Sequence, residues 1–125
     1  MEVKLSNFKM EIMLNNLKPL LKFRDKVGYV AARNTRVLAE TLTEYLAFKR
    51  ELIKKYGEND VDEHGTDLGT ISINSNSEKF DTFAKELEKI RTIEHTVELM
   101  TIPYDEVIGV LSGEEILNLD WMLDY

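Results

Sequence analysis

An α+β fold is predicted by three observations: one run of helical periodicity far longer than any other, shorter apolar stripes at helical spacing, and several short segments that alternate like strands. The expected architecture is one long helix plus two or three shorter helices packed on a small antiparallel sheet. The 125 residues suit a single domain spanning 1–125. Hydrophobic residues make up 43% of the chain and charged residues 31%, which is too apolar for a disordered chain. No run has the length of a membrane span, and the N-terminus lacks the apolar block of a signal peptide. A cytoplasmic protein without membrane contact is expected, in the host cytoplasm if a phage encodes it.

At the N-terminus, residues 2–5 alternate as Glu2, Val3, Lys4, Leu5 and read as a short strand. Met10, Met13, Leu14 and Leu17 then recur at helical spacing, with Ser6 or Asn7 as cap and Pro19 as the stop. The dominant helix is predicted from Arg24 to Tyr56, closed by Gly57 as C-cap. Val27, Ala31, Leu38, Leu42, Tyr45, Leu52, Ile53 and Tyr56 fall on one side of it, and Val30, Val37 and Phe48 widen that side. Thirty-three residues at 1.5 Å each would span about 50 Å. A compact domain of this size is about 35 Å across. Either the helix bends near Gly28 or Asn34-Thr35, or a second copy covers the excess apolar face, so a homodimer is expected.

Residues 58–69 read as a polar, acidic loop, followed by a strand at Thr70–Ile73. Ser75 and Glu78 have capping-box spacing before a helix with an apolar stripe of Phe80, Phe83, Leu87 and Ile90. Residues 94–102 read as a second strand, with Val97 and Leu99 facing inward and Pro103 ending it. The sheet is expected to use residues 70–74 and 94–102. A second capping box, Ser112 with Glu115, opens a short last helix holding Ile116, Leu117, Leu119, Trp121 and Leu123.

The net charge of −7 is unevenly spread. Up to Gly57 there are 12 Lys+Arg against 6 Asp+Glu; from Glu58 onward there are 4 against 17. Such asymmetry marks either an interaction surface of one sign or a basic helix and an acidic region that attract each other within the fold.

Chemistry is sparse. There is no cysteine, and the two histidines, His64 and His95, have no identifiable partner. Asp60, Asp62, His64, Gly65 and Thr66 imitate the first half of a helix–loop–helix calcium site, but Ile71 stands where the closing bidentate glutamate is required. No phosphate loop, G-x-S-x-G or H-E-x-x-H motif occurs. Neither an enzyme nor a cofactor or metal is expected. Two surface candidates remain. An acidic one comprises Asp60, Asp62, Glu63, Asp67, Asp105 and Glu106, with Trp121 either as an aromatic anchor or as a seal on the core. A basic one comprises Lys22, Lys26, Arg33 and Arg36 with Tyr29, an anion-binding face that turns acidic at Glu40 and Glu44, so direct nucleic-acid binding is not expected.

The order of elements, with Glu51-Leu-Ile-Lys-Lys-Tyr-Gly-Glu-Asn-Asp60 ending the long helix and then Phe83-Ala-Lys-Glu-Leu87 and Leu111-Ser-Gly-Glu-Glu-Ile-Leu117, resembles small uncharacterised proteins of phages and prophages of Gram-positive bacteria. That resemblance implies a phage origin and no established activity. The function expected is a non-enzymatic accessory protein that binds and occludes a host or anti-phage defence protein. The alternatives are a virion or tail-assembly accessory protein and a nucleotide-binding sponge.

Overall fold

The computed structural model describes residues 1–125. Strand β1 (Glu2–Ser6) runs straight into helix α1 (Asn7–Leu17), because extended Ser6 caps the helix by accepting the Lys9 N–H at 3.1 Å. Helix α1 stops at Leu17, just ahead of Pro19 as expected. Pro19 itself opens a 3-10 turn, Lys18–Lys22, where a missing N–H is tolerated. Helix α2 (Lys26–Tyr56) begins two residues later than the periodicity suggests, because the Asp25 carboxylate accepts the Val27 N–H at 3.1 Å. Then follow β2 (Glu58–Val61), β3 (Asp67–Ser72), α3 (Phe80–Arg91), β4 (Glu94–Glu98), β5 (Ile102–Pro103), α4 (Gly113–Asn118) and β6 (Leu123–Asp124). The α+β class holds, with one long helix and three shorter ones.

The strand pairing differs from the expected one. Residues 67–72 do not meet 94–98; each strand takes another partner. β1 pairs antiparallel with β4, β2 with β3, and β5 lies parallel to β6, giving three two-stranded ribbons. The segment expected as an acidic loop is a β-hairpin. The expected capping box at Ser75 and Glu78 does not form either. Asn74 takes the Asn76 N–H on its side chain and the Ser77 N–H on its carbonyl, so a turn occupies those residues and α3 starts at Phe80. The box at Ser112 and Glu115 forms in full.

The chain's contacts fall in two compact units, Met1–Leu42 with Glu94–Tyr125, and Thr43–Ile93, and α2 contributes to both. In the first, Met10, Met13, Leu17, Val27, Val30, Ala31, Leu38 and Leu42 are buried, as are Val97, Leu99, Ile102, Val107, Leu119, Met122 and Leu123. Neither expected bend site interrupts α2. Gly28 is buried where a Cβ would lie 1.9 Å from the Phe23 carbonyl oxygen, so close approach of the preceding chain explains it. Asn34 is fully buried and faces Met100, its Nδ2 donating to the Met100 carbonyl at 2.9 Å and its Oδ1 accepting the Met100 N–H at 2.8 Å.

In the second unit, Tyr45 and Phe83 are the buried apolar side chains. Tyr56 meets Phe83 edge-on at 6.5 Å between ring centres and donates to Glu86 at 3.0 Å. Gly57 accompanies the end of α2, but its φ is not left-handed. Space is its requirement, since a Cβ would lie 2.6 Å from Ile71 Cγ2. The excess apolar face that motivated a dimer narrows to Phe48, 64% exposed, among half-buried Leu46, Leu52 and Ile53.

Candidate functional site

Both sequence-derived surfaces are altered once each charge is followed to its partners. The sequence halves differ by sign, but the compact units do not. The unit formed by 1–42 and 94–125 carries eight basic and twelve acidic side chains, and 43–93 carries eight and eleven. Basic and acidic stretches are distributed almost evenly between the units.

Of the acidic candidates, Asp60, Asp62, Glu63 and Asp67 lie on the β2–β3 hairpin. Asp62 begins a tight turn closed by the Gly65 N–H on its carbonyl, with Gly65 at φ 79°. Its carboxylate accepts the N–H groups of His64 and Thr66 at 2.8 and 2.9 Å. Asp67 accepts the Gly69 N–H at 2.8 Å. Asp60 accepts the Thr70 and Ser72 hydroxyls at 2.6 and 2.8 Å, and these bonds, Thr70's the larger, hold its carboxyl below the usual carboxylate range. Three of the four carboxylates therefore hold the hairpin together. Glu63 remains at the exposed tip, 3.6 Å from the His64 ring. Beside this hairpin a depression of about 530 Å³ is lined by Tyr56, Asp60, Ser72, Asn74, Asn76 and Ser77 among others.

Asp105 and Glu106 belong to the other unit, in the 3-10 turn Tyr104–Glu106. Glu106 is bridged by Lys26 at 3.0 Å, so a member of the acidic set neutralises a member of the basic set. Trp121 sits half-buried between Asp120 and buried Met122, its indole N–H enclosed without a hydrogen-bond partner. No group of three or more His, Cys, Asp or Glu gathers as metal ligands would, and no helix is long and apolar enough to cross a membrane.

The basic set also divides. Lys22 belongs to the 3-10 turn before α2, so helical spacing does not carry from it to Arg33. What α2 does place together is Tyr29, Arg33 and Arg36, separated by four and three residues and all exposed, with Tyr29 61% exposed. Neither guanidinium is in an ion pair. Beside them are two shallow depressions that share Arg33 and Val37 in their walls. One, about 370 Å³, is completed by Tyr29, Ala32, Arg36 and Glu40. The other, about 520 Å³, is completed by Met1 and residues 98–101. Arg33 and Val37 thus stand between a depression on the exposed side of α2 and one that reaches the end of β4, the two making up the groove beside the arginines. Sequence reading found the two arginines and Tyr29 but not the β4 wall, because no local pattern announces which strand lies beside which helix.

These features define an α+β chain with two exposed arginines and an exposed tyrosine on one face of its long helix. Compared with protein-family models, curated proteins and solved structures, the chain matches none.

Proposed function

We propose that this chain is a non-enzymatic binding protein of the phage accessory kind that its sequence resembles, acting in the host cytoplasm. It occludes a host or anti-phage defence protein, which it engages through Tyr29, Arg33 and Arg36. The observation carrying this reading is the pair of exposed guanidiniums without an internal carboxylate partner, beside an exposed tyrosine. Tyrosine and arginine are the side chains that most often dominate binding interfaces. Most of the acidic candidates, by contrast, already serve as acceptors within the fold, which favours the basic face over the acidic one. Unpaired rim charge of this kind accelerates association with an oppositely charged partner and makes it salt-sensitive.

The test places a photo-crosslinking amino acid at position 29, identifies the captured protein by mass spectrometry, and rebuilds the complex from purified components. Charge reversal of Arg33 and Arg36 to glutamate should slow association about tenfold or more, whereas Glu63→Lys should leave it unchanged. A complex indifferent to the arginine reversal overturns the reading, as does nucleotide binding at this face without any protein complex.

A further inference from the structure

The register of the β1–β4 ribbon determines which of its backbone groups are unused. The Leu99 N–H bonds the Met1 carbonyl at 2.9 Å, and the Met1 amino group bonds the Leu99 carbonyl at 2.8 Å. Bonded and non-bonded residue pairs alternate along an antiparallel ladder. With Val3 opposite Val97 and Leu5 opposite His95, those pairs are the bonded ones. Glu98 and Thr96 therefore turn their N–H and C=O groups away from β1, and no other strand pairs with that edge.

Met100 is the next residue in the same outward-facing row, and it does have a partner. The Asn34 carboxamide gives and receives one hydrogen bond with it, at 2.9 and 2.8 Å. A carboxamide is a peptide group on a side chain. Asn34 thus stands where a third strand would present its own peptide unit, and the positions beyond it, at Glu98 and Thr96, are open. The groove wall formed by Arg33 and Val37 lies against this end of the strand.

We propose that the β4 edge is completed by an extended, acidic segment of the partner protein. The segment adds as a third strand on Glu98 and Thr96, continuing the row that Asn34 begins, and its carboxylate side chain is taken by Arg33 and Arg36. Main-chain bonds along such an edge supply affinity, and flanking side chains select the sequence. Charge decides the occupant. Arg33 and Arg36 favour a carboxylate and the Glu98 carboxylate is already held by the Met1 amino group at 2.8 Å, so one acidic side chain is accommodated there, while exposed Glu94 and Glu40 repel the repeated charges of a continuous phosphate backbone. This inference rests on the proposed role of the arginine face and specifies how a partner uses it.

The probe is the acetylated and amidated hexapeptide Val-Thr-Val-Glu-Val-Thr, whose one carboxylate is the one the arginines would take, titrated into the ¹⁵N-labelled full chain. Three comparisons accompany it: the same peptide N-methylated at alternate residues, its lysine counterpart, and the chain with Arg33 and Arg36 reversed to glutamate. The Glu98 and Thr96 amide signals should shift and their hydrogen exchange should slow. N-methylation on the bonding edge should weaken binding about tenfold or more, since it removes the strand's donors. The lysine peptide should not bind, and arginine reversal should cost about tenfold in affinity. Equal binding of the N-methylated peptide overturns strand addition while leaving the arginine face intact. Failure of the acidic peptide to bind, beside a partner complex still sensitive to arginine reversal, overturns it in the same way. Strand addition that survives arginine reversal unchanged overturns the contact face itself.

Discussion

Asn34 offers the sharpest test of how the long helix is joined to the strand region of its unit. Truncation to alanine removes two hydrogen bonds, of 2.9 and 2.8 Å, from a fully buried side chain. Each contributes about 0.5–1.5 kcal/mol net, and a polar group left buried without a partner costs about 1–3 kcal/mol. Met100 is only half-buried, so water can serve part of what Asn34 abandons. Two bonds and one orphaned group would together cost about 2–6 kcal/mol, and water at Met100 places the expected loss in the lower half, about 2–4 kcal/mol. Urea unfolding followed by fluorescence measures it well, because the sole tryptophan, Trp121, lies in the same compact unit.

Asn34→Asp separates hydrogen bonding from packing. Aspartate keeps the acceptor for the Met100 N–H but sets a second oxygen against the Met100 carbonyl. Burial and that repulsion raise its folded-state pKa above the unfolded value of about 3.9. Pairing by the protonated form is then fully present below the unfolded pKa and lost as pH rises through the raised folded one. The variant should approach the wild type in acid and fall well below it at neutral pH. An alanine variant losing less than about 1 kcal/mol, or an aspartate variant whose deficit ignores pH, would refute the pairing as a source of stability.

Gly28→Ala should destabilise strongly, by about 2 kcal/mol or more in urea unfolding, because its methyl group would strike the Phe23 carbonyl; helix propensity alone predicts a gain. Ser112→Ala should cost about 1 kcal/mol by dissolving the capping box at α4, measured as a lower melting temperature. Asp60 should titrate below the ordinary carboxylate range by carbon-detected NMR, and Thr70→Val should move its midpoint up. Since its folded pKa is depressed, the hairpin gains from Asp60 above the unfolded pKa and loses that gain as pH falls through the lowered value. Asp62→Ala should speed amide exchange at His64 and Thr66, while Glu63→Lys at the same tip should not.

Periodicity made the helices legible, because burial of an apolar stripe is a local property of sequence. Val27, Ala31, Leu38 and Leu42 are buried as their spacing requires. The β2 strand was hidden because Glu58-Asn-Asp-Val61 has little intrinsic strand preference and is held by pairing with β3. Its turn was nevertheless written plainly: Asp62 first and Gly65 fourth is a favoured tight-turn pattern, although the same residues imitate half a calcium loop. The two Ser-x-x-Glu boxes show where local rules compete. At 112–115 the Ser112 and Glu115 N–H groups are taken by each other's side chains, whereas at 75–78 Asn74 accepts the Asn76 and Ser77 N–H groups and turns the chain there, so no helix starts for a box to cap. Strand pairing between residues 90 and 94 positions apart, as between Leu5 and His95 and between Val3 and Val97, leaves no local mark at all.

The two charged surfaces were equally visible in the sequence, and what separates them is the kind of partner each charge can find nearby. A carboxylate is an acceptor only, and the backbone offers it N–H groups two to four residues onward; Asp62 and Asp67 use them in this way. A guanidinium is a donor only, so its close partners on a helix are acidic side chains three or four positions away. Around Arg33 those positions hold Tyr29, Val30, Arg36 and Val37, none of them acidic. Arg36 has Glu40 alone, with the basic residue preceding the acidic one, the weaker order on a helix. Acidic residues in turns are thus consumed by the fold, while arginines without acidic helical neighbours stay available. That difference is readable from spacing, and it points to Arg33 and Arg36 before any tertiary structure is known.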